Sequence, residues 1–119
     1  MINYVVTGTR AYGPDREDSD LDIVIRSDIA ADFHYDLLQA GIKVWKTEEQ
    51  ERETYGGFYF DVCGITINVI EAKVQAEFGA WKVATEQMKE RPIINDREKR
   101  INLFVQLRER TLLKILDGR

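Results

Sequence analysis

The chain predicts an α+β domain, and three observations carry that reading. Apolar runs with strand alternation recur through roughly the first 70 residues, two long stretches with helical spacing fill the remainder, and 119 residues suit one domain with a modest core. A single domain over 1–119 is therefore expected, with a core at about 1–70 and C-terminal helices at about 71–117. Hydrophobic residues make up 44% and charged residues 32%, a globular rather than a disordered composition.

Tyr4-Val5-Val6 reads as a first strand that turns at Gly8-Thr9. Ser19-Asp20-Leu21-Asp22-Ile23-Val24-Ile25 then runs out as a second strand. Residues two apart on a strand share a face, so Asp20 and Asp22 point one way and Leu21, Ile23 and Ile25 point into a core. Ser27 is expected to cap a helix over 28–40, with Asp28 near its positive end and Gly41 as its stop. Ile42 to Lys46 alternates like a half-buried strand. A charged stretch over 48–55 ends in Gly56-Gly57 and reads as a surface connection able to cover a site.

Phe58 to Val62 and Ile65 to Ile70 flank Cys63-Gly64, the pattern of a hairpin with a two-residue loop. In that register Phe60, Val62, Ile65, Ile67 and Val69 share one face, and Tyr59, Asp61, Thr66 and Asn68 share the other. A helix is expected over 71–90, with Val74, Phe78, Trp81, Thr85 and Met88 as its buried stripe and Pro92 ending it. The last helix is expected from Asn95, boxed by Glu98, to about Asp117. Its main stripe is Ile101, Phe104, Val105, Leu112, Ile115 and Leu116, and Leu103, Leu107 and Leu113 widen it enough for a homodimer through this helix.

A net charge of −4 argues against broad electrostatic binding to nucleic acid. The one cysteine, Cys63, cannot form an internal disulfide or a multi-thiolate zinc site, and it reads as a small core or turn residue. No apolar run is long enough to span a bilayer and the N-terminus lacks the layout of a signal peptide, so a cytoplasmic protein with no membrane partner is expected.

The opening residues carry the chemistry. Magnesium takes oxygen ligands, commonly one or two carboxylates together with substrate phosphates, and Asp20 and Asp22 offer that pair from one strand face. Gly8 permits close backbone approach, Thr9 adds a hydroxyl, and the amides that follow suit an anion. Arg10 and Arg16 are candidate phosphate partners.

Gly8-Thr9-Arg10-Ala11-Tyr12-Gly13 with Ser19-Asp20-Leu21-Asp22-Ile23 resembles the signature of the nucleotidyltransferase superfamily that includes DNA polymerase beta, especially its minimal members. The resemblance covers about the first quarter of the chain. It implies a mixed sheet with helices packed on it and a magnesium-dependent transfer of a nucleoside monophosphate from a nucleoside triphosphate such as ATP to an acceptor hydroxyl, releasing pyrophosphate. Asp20 and Asp22 match the metal carboxylates, Gly8 and Thr9 match the phosphate-binding pair, and Arg10, Arg16, Ser19 and Asn68 complete the expected nucleotide-binding set. Active members place a third carboxylate on a later strand, where this chain has Asn68. Three outcomes stay open: Asp61 supplies the missing catalytic carboxylate from the same hairpin face, the site works with two carboxylates, or the domain binds nucleotide without turnover. Some minimal members pair with helical toxin-like proteins, which makes a regulatory module with a protein partner the alternative reading.

Other residues read as structural or auxiliary. His34 is expected to face solvent or pack away from the site, and Trp45 and Trp81, which could stack a base, are expected to pack instead. Tyr12 and Tyr59 are candidates for nucleobase or acceptor contact. Arg91, Arg97, Lys99, Arg100, Arg108 and Arg110 read as a solvated helix face rather than a basic stripe for a polyanionic acceptor, because acidic residues are interleaved among them.

Overall fold

In the computed structural model, residues 3–14, 19–47 and 55–118 are described. Among them the chain forms β1 (Tyr4–Thr7), α1 (Thr9–Tyr12), β2 (Leu21–Arg26), α2 (Ser27–Gln39), β3 (Trp45–Lys46), β4 (Tyr55–Val62), β5 (Ile65–Ala72), α3 (Gln75–Lys89) and α4 (Arg97–Leu116). The five strands make one sheet in the order β1-β2-β5-β4-β3. Only β2 and β5 run parallel; the other neighbours are antiparallel, so the sheet is mixed.

Alternation sorts the strand side chains to two faces. Ile23, Ile25, Phe58, Phe60 and Val69 meet Ala30 and Leu37 of α2 on one face, with Phe33 wedged against Phe58 and Phe60. Val24, Ile70 and Ala72 meet Phe78 of α3 on the other. Behind α3, Ala84 and Met88 pack on Phe104 and Leu107 of α4. Trp81 touches both of these last clusters, so it ties the sheet to the outer helix.

Local chemistry sets the turns. Cys63 (φ 52°) and Gly64 (φ 79°) are both left-handed, the geometry of a two-residue type I′ hairpin, and Val62 pairs with Ile65 as expected. Cys63 is thus an exposed turn residue. Helix α2 closes with a Schellman motif: Gly41 (φ 79°) donates its N–H to the Leu38 carbonyl and Ile42 to that of Leu37, both at 3.0 Å.

Several boundaries differ from the sequence expectation. Ser27 is the first helical residue of α2 and Arg26, still extended, precedes it without a side-chain cap; Arg26 instead pairs with Asp28 at 3.0 Å. The cap of α4 is Asp96, whose carboxylate accepts from the Lys99 N–H at 3.0 Å, and not Asn95. Strand β5 continues through Ala72 because β2 and β4 flank it on both sides to that residue, so α3 starts at Gln75 and not at 71. Val74 lies before α3 and is exposed. Gly56 and Gly57 are not a connection; they are buried within β4, paired with Glu71 and Ile70. Only Trp45 and Lys46 of the 42–46 run are in a strand. Residues 48–54 of the proposed cover lie outside the described residues.

The expected main stripe of α4 is only partly buried. Phe104, Leu107 and Arg108 are under cover, whereas Ile101, Val105, Ile115 and Leu116 are exposed. No helix among the described residues is long and apolar enough to cross a membrane.

Candidate functional site

One transverse row crosses the whole sheet. Thr7 lies opposite Asp22, Asp22 opposite Asn68, Asn68 opposite Tyr59 and Tyr59 opposite Trp45, so all five share the sheet face that α3 packs on. At its centre the Asn68 Nδ2 donates to Asp22 Oδ1 at 2.8 Å and to Asp20 Oδ2 at 3.2 Å. Residues 46 positions apart meet here because β2 and β5 are neighbours in parallel register.

The backbone closes around that cluster. Gly8 (φ 74°, ψ −164°) occupies a region open essentially only to glycine, and a Cβ there would collide with the Asp22 carboxylate. Just before it, the Thr7 and Thr85 hydroxyls are 2.7 Å apart; Thr85 gives its hydrogen to the Trp81 carbonyl, so Thr7 is the donor and pins β1 to α3. Arg10 Nε donates to the Ser19 carbonyl at 2.8 Å and Nη2 joins it, which ties α1 to the start of the Ser19-Asp20-Leu21-Asp22 segment. Arg10 therefore positions the segment that carries Asp20.

An open cavity of about 560 Å³ lies against this cluster. Thr7, Gly8, Thr9, Ser19, Asp20, Asp22 and Asn68 form its polar part. No protein-family model, curated protein or solved structure matches the chain.

Charge is unevenly balanced in the cavity. Burial raises the Asp22 carboxyl above its ordinary 3.8, the Asn68 hydrogen bond opposes the rise, and the neighbouring Asp20 adds to it. Burial also pushes the Tyr12 hydroxyl up to about 12, with the Asp22 charge adding and Arg100 opposing, so the phenol stays protonated and can donate near pH 7. Among the described residues, no lysine or arginine forms an ion pair with Asp20 or Asp22.

Asp20, Asp22 and the Asn68 amide form an all-oxygen donor set for a hard cation once the amide turns its oxygen inward. The described residues contain no group of three or more His, Cys, Asp and Glu side chains placed to hold a metal.

The expected residues separate accordingly. Gly8, Thr9, Ser19, Asp20, Asp22 and Asn68 converge on the cavity. Asp61 does not line it: its carboxylate accepts from the Thr66 hydroxyl at 2.7 Å on the exposed part of the hairpin, two residues beyond Tyr59. Arg16 lies outside the described residues. Tyr12 lines the cavity and stacks on Phe104, while Tyr59 stacks on Trp45 with ring centroids 5.3 Å apart. His34 stacks on Phe58, on the opposite sheet face.

Sequence reading missed a second wall. Tyr55, Ile70, Trp81, Arg97, Ile101, Phe104 and Val105 complete the cavity. Arg97, Ile101 and Val105 are spaced i, i+4, i+8, which places them on one helical face but does not reveal that this face looks toward carboxylates far away in the chain. Arg108 also departs from the solvated face expected of it. It is buried and bonded to the fully buried Glu77, not part of a solvated stripe.

Proposed function

We propose that the chain is a small nucleotidyltransferase-like domain that binds a nucleoside triphosphate with magnesium and transfers its nucleotidyl group to an acceptor hydroxyl. The observation that supports this most is the meeting of Asp20 and Asp22 with Asn68 beside a turn where only Gly8 fits. Asp20 and Asp22 would hold the magnesium ion, with Asn68 turning its amide oxygen toward it. When bound, the ion would neutralise charge on the phosphate oxygens and favour departure of pyrophosphate.

The chain's own groups supply the remainder. Gly8 lets the backbone approach the phosphates, and the hydroxyls of Thr9 and Ser19 offer further hydrogen bonds in the cavity. Tyr12 would donate to an oxygen. Two observations favour the alternative reading, a nucleotide-binding module without turnover: the position opposite Asp22 is an amide, which cannot accept the proton of an attacking hydroxyl, and Asp61 is engaged with Thr66. A cytoplasmic setting belongs to either reading, as does a partner, helical or a second copy, on the end of α4 where Leu113 and Leu116 are exposed.

The test is incubation with magnesium, labelled triphosphates and candidate hydroxyl acceptors, comparing the wild type with Asp20→Asn and Asp22→Asn. Label transfer and pyrophosphate release confined to the wild type support catalysis. Magnesium-dependent binding without release supports the module, and absence of binding removes both.

A further inference from the structure

The cavity is divided chemically as well as spatially. Across from the carboxylates, its second wall is formed by Tyr55 and Trp81 with Ile101, Phe104 and Val105. This wall is built rigidly. The Trp81 indole N–H donates to Glu77 Oε1 at 2.9 Å, its ring lies 5.1 Å from Phe104 and 5.6 Å edge-on to Tyr55, and the Arg108 guanidinium sits 5.1 Å from the Tyr55 ring. Ile101 and Val105 remain 41% and 36% exposed on the same wall. Pre-ordered apolar surface open to water beside a polar cluster is the arrangement of a ligand site that binds with little further ordering.

We infer, resting on the triphosphate reading above, that this wall receives the nucleobase, and that it does so by stacking and apolar contact without selecting between adenine and guanine. Continuity with the polar part supports the base as occupant: one cavity of about 560 Å³ joins both parts, within the size range of small-molecule sites. The absence of selection follows from the wall's chemistry. Among the described residues the wall's groups able to read a base edge are the Tyr55 hydroxyl and Arg97; its other side chains are apolar or, like the Trp81 indole N–H, already bonded, and stacking accepts every base. Purines gain most from it because they cover the largest area.

The experiment measures magnesium-dependent binding to the full chain of three probes: non-hydrolysable ATP and GTP analogues and inorganic tripolyphosphate. The two analogues are expected to bind within about threefold of one another and at least about tenfold tighter than tripolyphosphate. The double variant Ile101→Ala/Val105→Ala is expected to lose most of that advantage and to keep the tripolyphosphate affinity, which also reports that it has folded. In Trp45→Phe, where Trp81 is the remaining indole, the analogues are expected to change the emission and tripolyphosphate to leave it unaltered. Equal affinity for all three probes, unaltered analogue binding by the double variant, or a tenfold preference for one purine would each overturn the inference while leaving the phosphate site intact. Failure of all three probes to bind would overturn the triphosphate reading and the inference with it.

Discussion

Glu77 and Asp22 are both withdrawn from water, yet the fold balances them in opposite ways. Glu77 is fully buried, and its Oε1 accepts from both Arg108 and the Trp81 indole; its Oε2 has no hydrogen-bond partner among the described residues. Asp22 is half-buried beside a second carboxylate and, among the described residues, its side chain receives only the amide hydrogen bond from Asn68. Among the described residues an arginine from α4 reaches Glu77 in α3, and none pairs with Asp22. The first carboxylate is internally neutralised and belongs to the architecture. The second has no such internal partner among the described residues, which favours the proposed metal there.

Removing the internal cation should have the largest effect. Arg108→Ala leaves Glu77 buried and uncompensated, and urea unfolding is expected to show a loss of about 3–5 kcal/mol. A double replacement, Glu77→Met with Arg108→Met, is expected to recover most of it. A small loss in the single variant would mean that Glu77 is far less isolated from water than its burial indicates.

Next in size is Gly8→Ala, which forces a side chain into the glycine-only backbone region and against Asp22; a loss of about 1–3 kcal/mol is expected, together with the loss of magnesium-dependent tripolyphosphate binding measured by calorimetry. Asn68→Asp sharpens the contrast further. It puts a third carboxylate opposite Asp22, so the metal-free protein should lose about 1 kcal/mol while magnesium affinity rises. A variant that is more stable without metal would show that Asp22 is already compensated.

The smallest effect concerns pH. The folded state holds the Asp22 carboxyl above its ordinary 3.8, so the fold favours its protonated form. Its contribution to stability is full below the ordinary carboxylate range and is lost as pH rises through the raised value. Asp22→Asn removes that dependence. In chelator, its stability relative to wild type should therefore increase between about pH 4 and pH 7, and a difference that stays flat across urea titrations would contradict the burial of Asp22.

Much of the site was legible because its determinants are local. The Cys63-Gly64 turn sets the hairpin register, and the register alone puts Asn68 and Tyr59 opposite one another on the face that also carries Asp61 and Thr66. The spacing of Asp20 and Asp22 likewise places both carboxylates at one point. What was not legible depends on distant neighbours. Asn95 and Asp96 are both competent caps, and the choice falls to Asp96 where the Arg100 guanidinium also holds the Ile94 carbonyl at 2.9 Å. Glu71 and Ala72 extend β5 only because two other strands reach that far. Arg108 follows Phe104 and Leu107 at core spacing on α4, yet its charge suggested solvent; only the fold supplies Glu77 as a counter-ion.

The parallel pairing of β2 with β5 has a consequence for the order of assembly. The β4–β5 hairpin closes over two residues, whereas Asp22 and Asn68 are separated by 46 positions and can meet only after a long loop has closed. Local pairings form first in such topologies, so the carboxylate cluster is expected to come together late, after the hairpin that delivers Asn68. Pulsed hydrogen exchange during refolding should find the β4–β5 amides protected ahead of those between β2 and β5, and simultaneous protection would rule this order out.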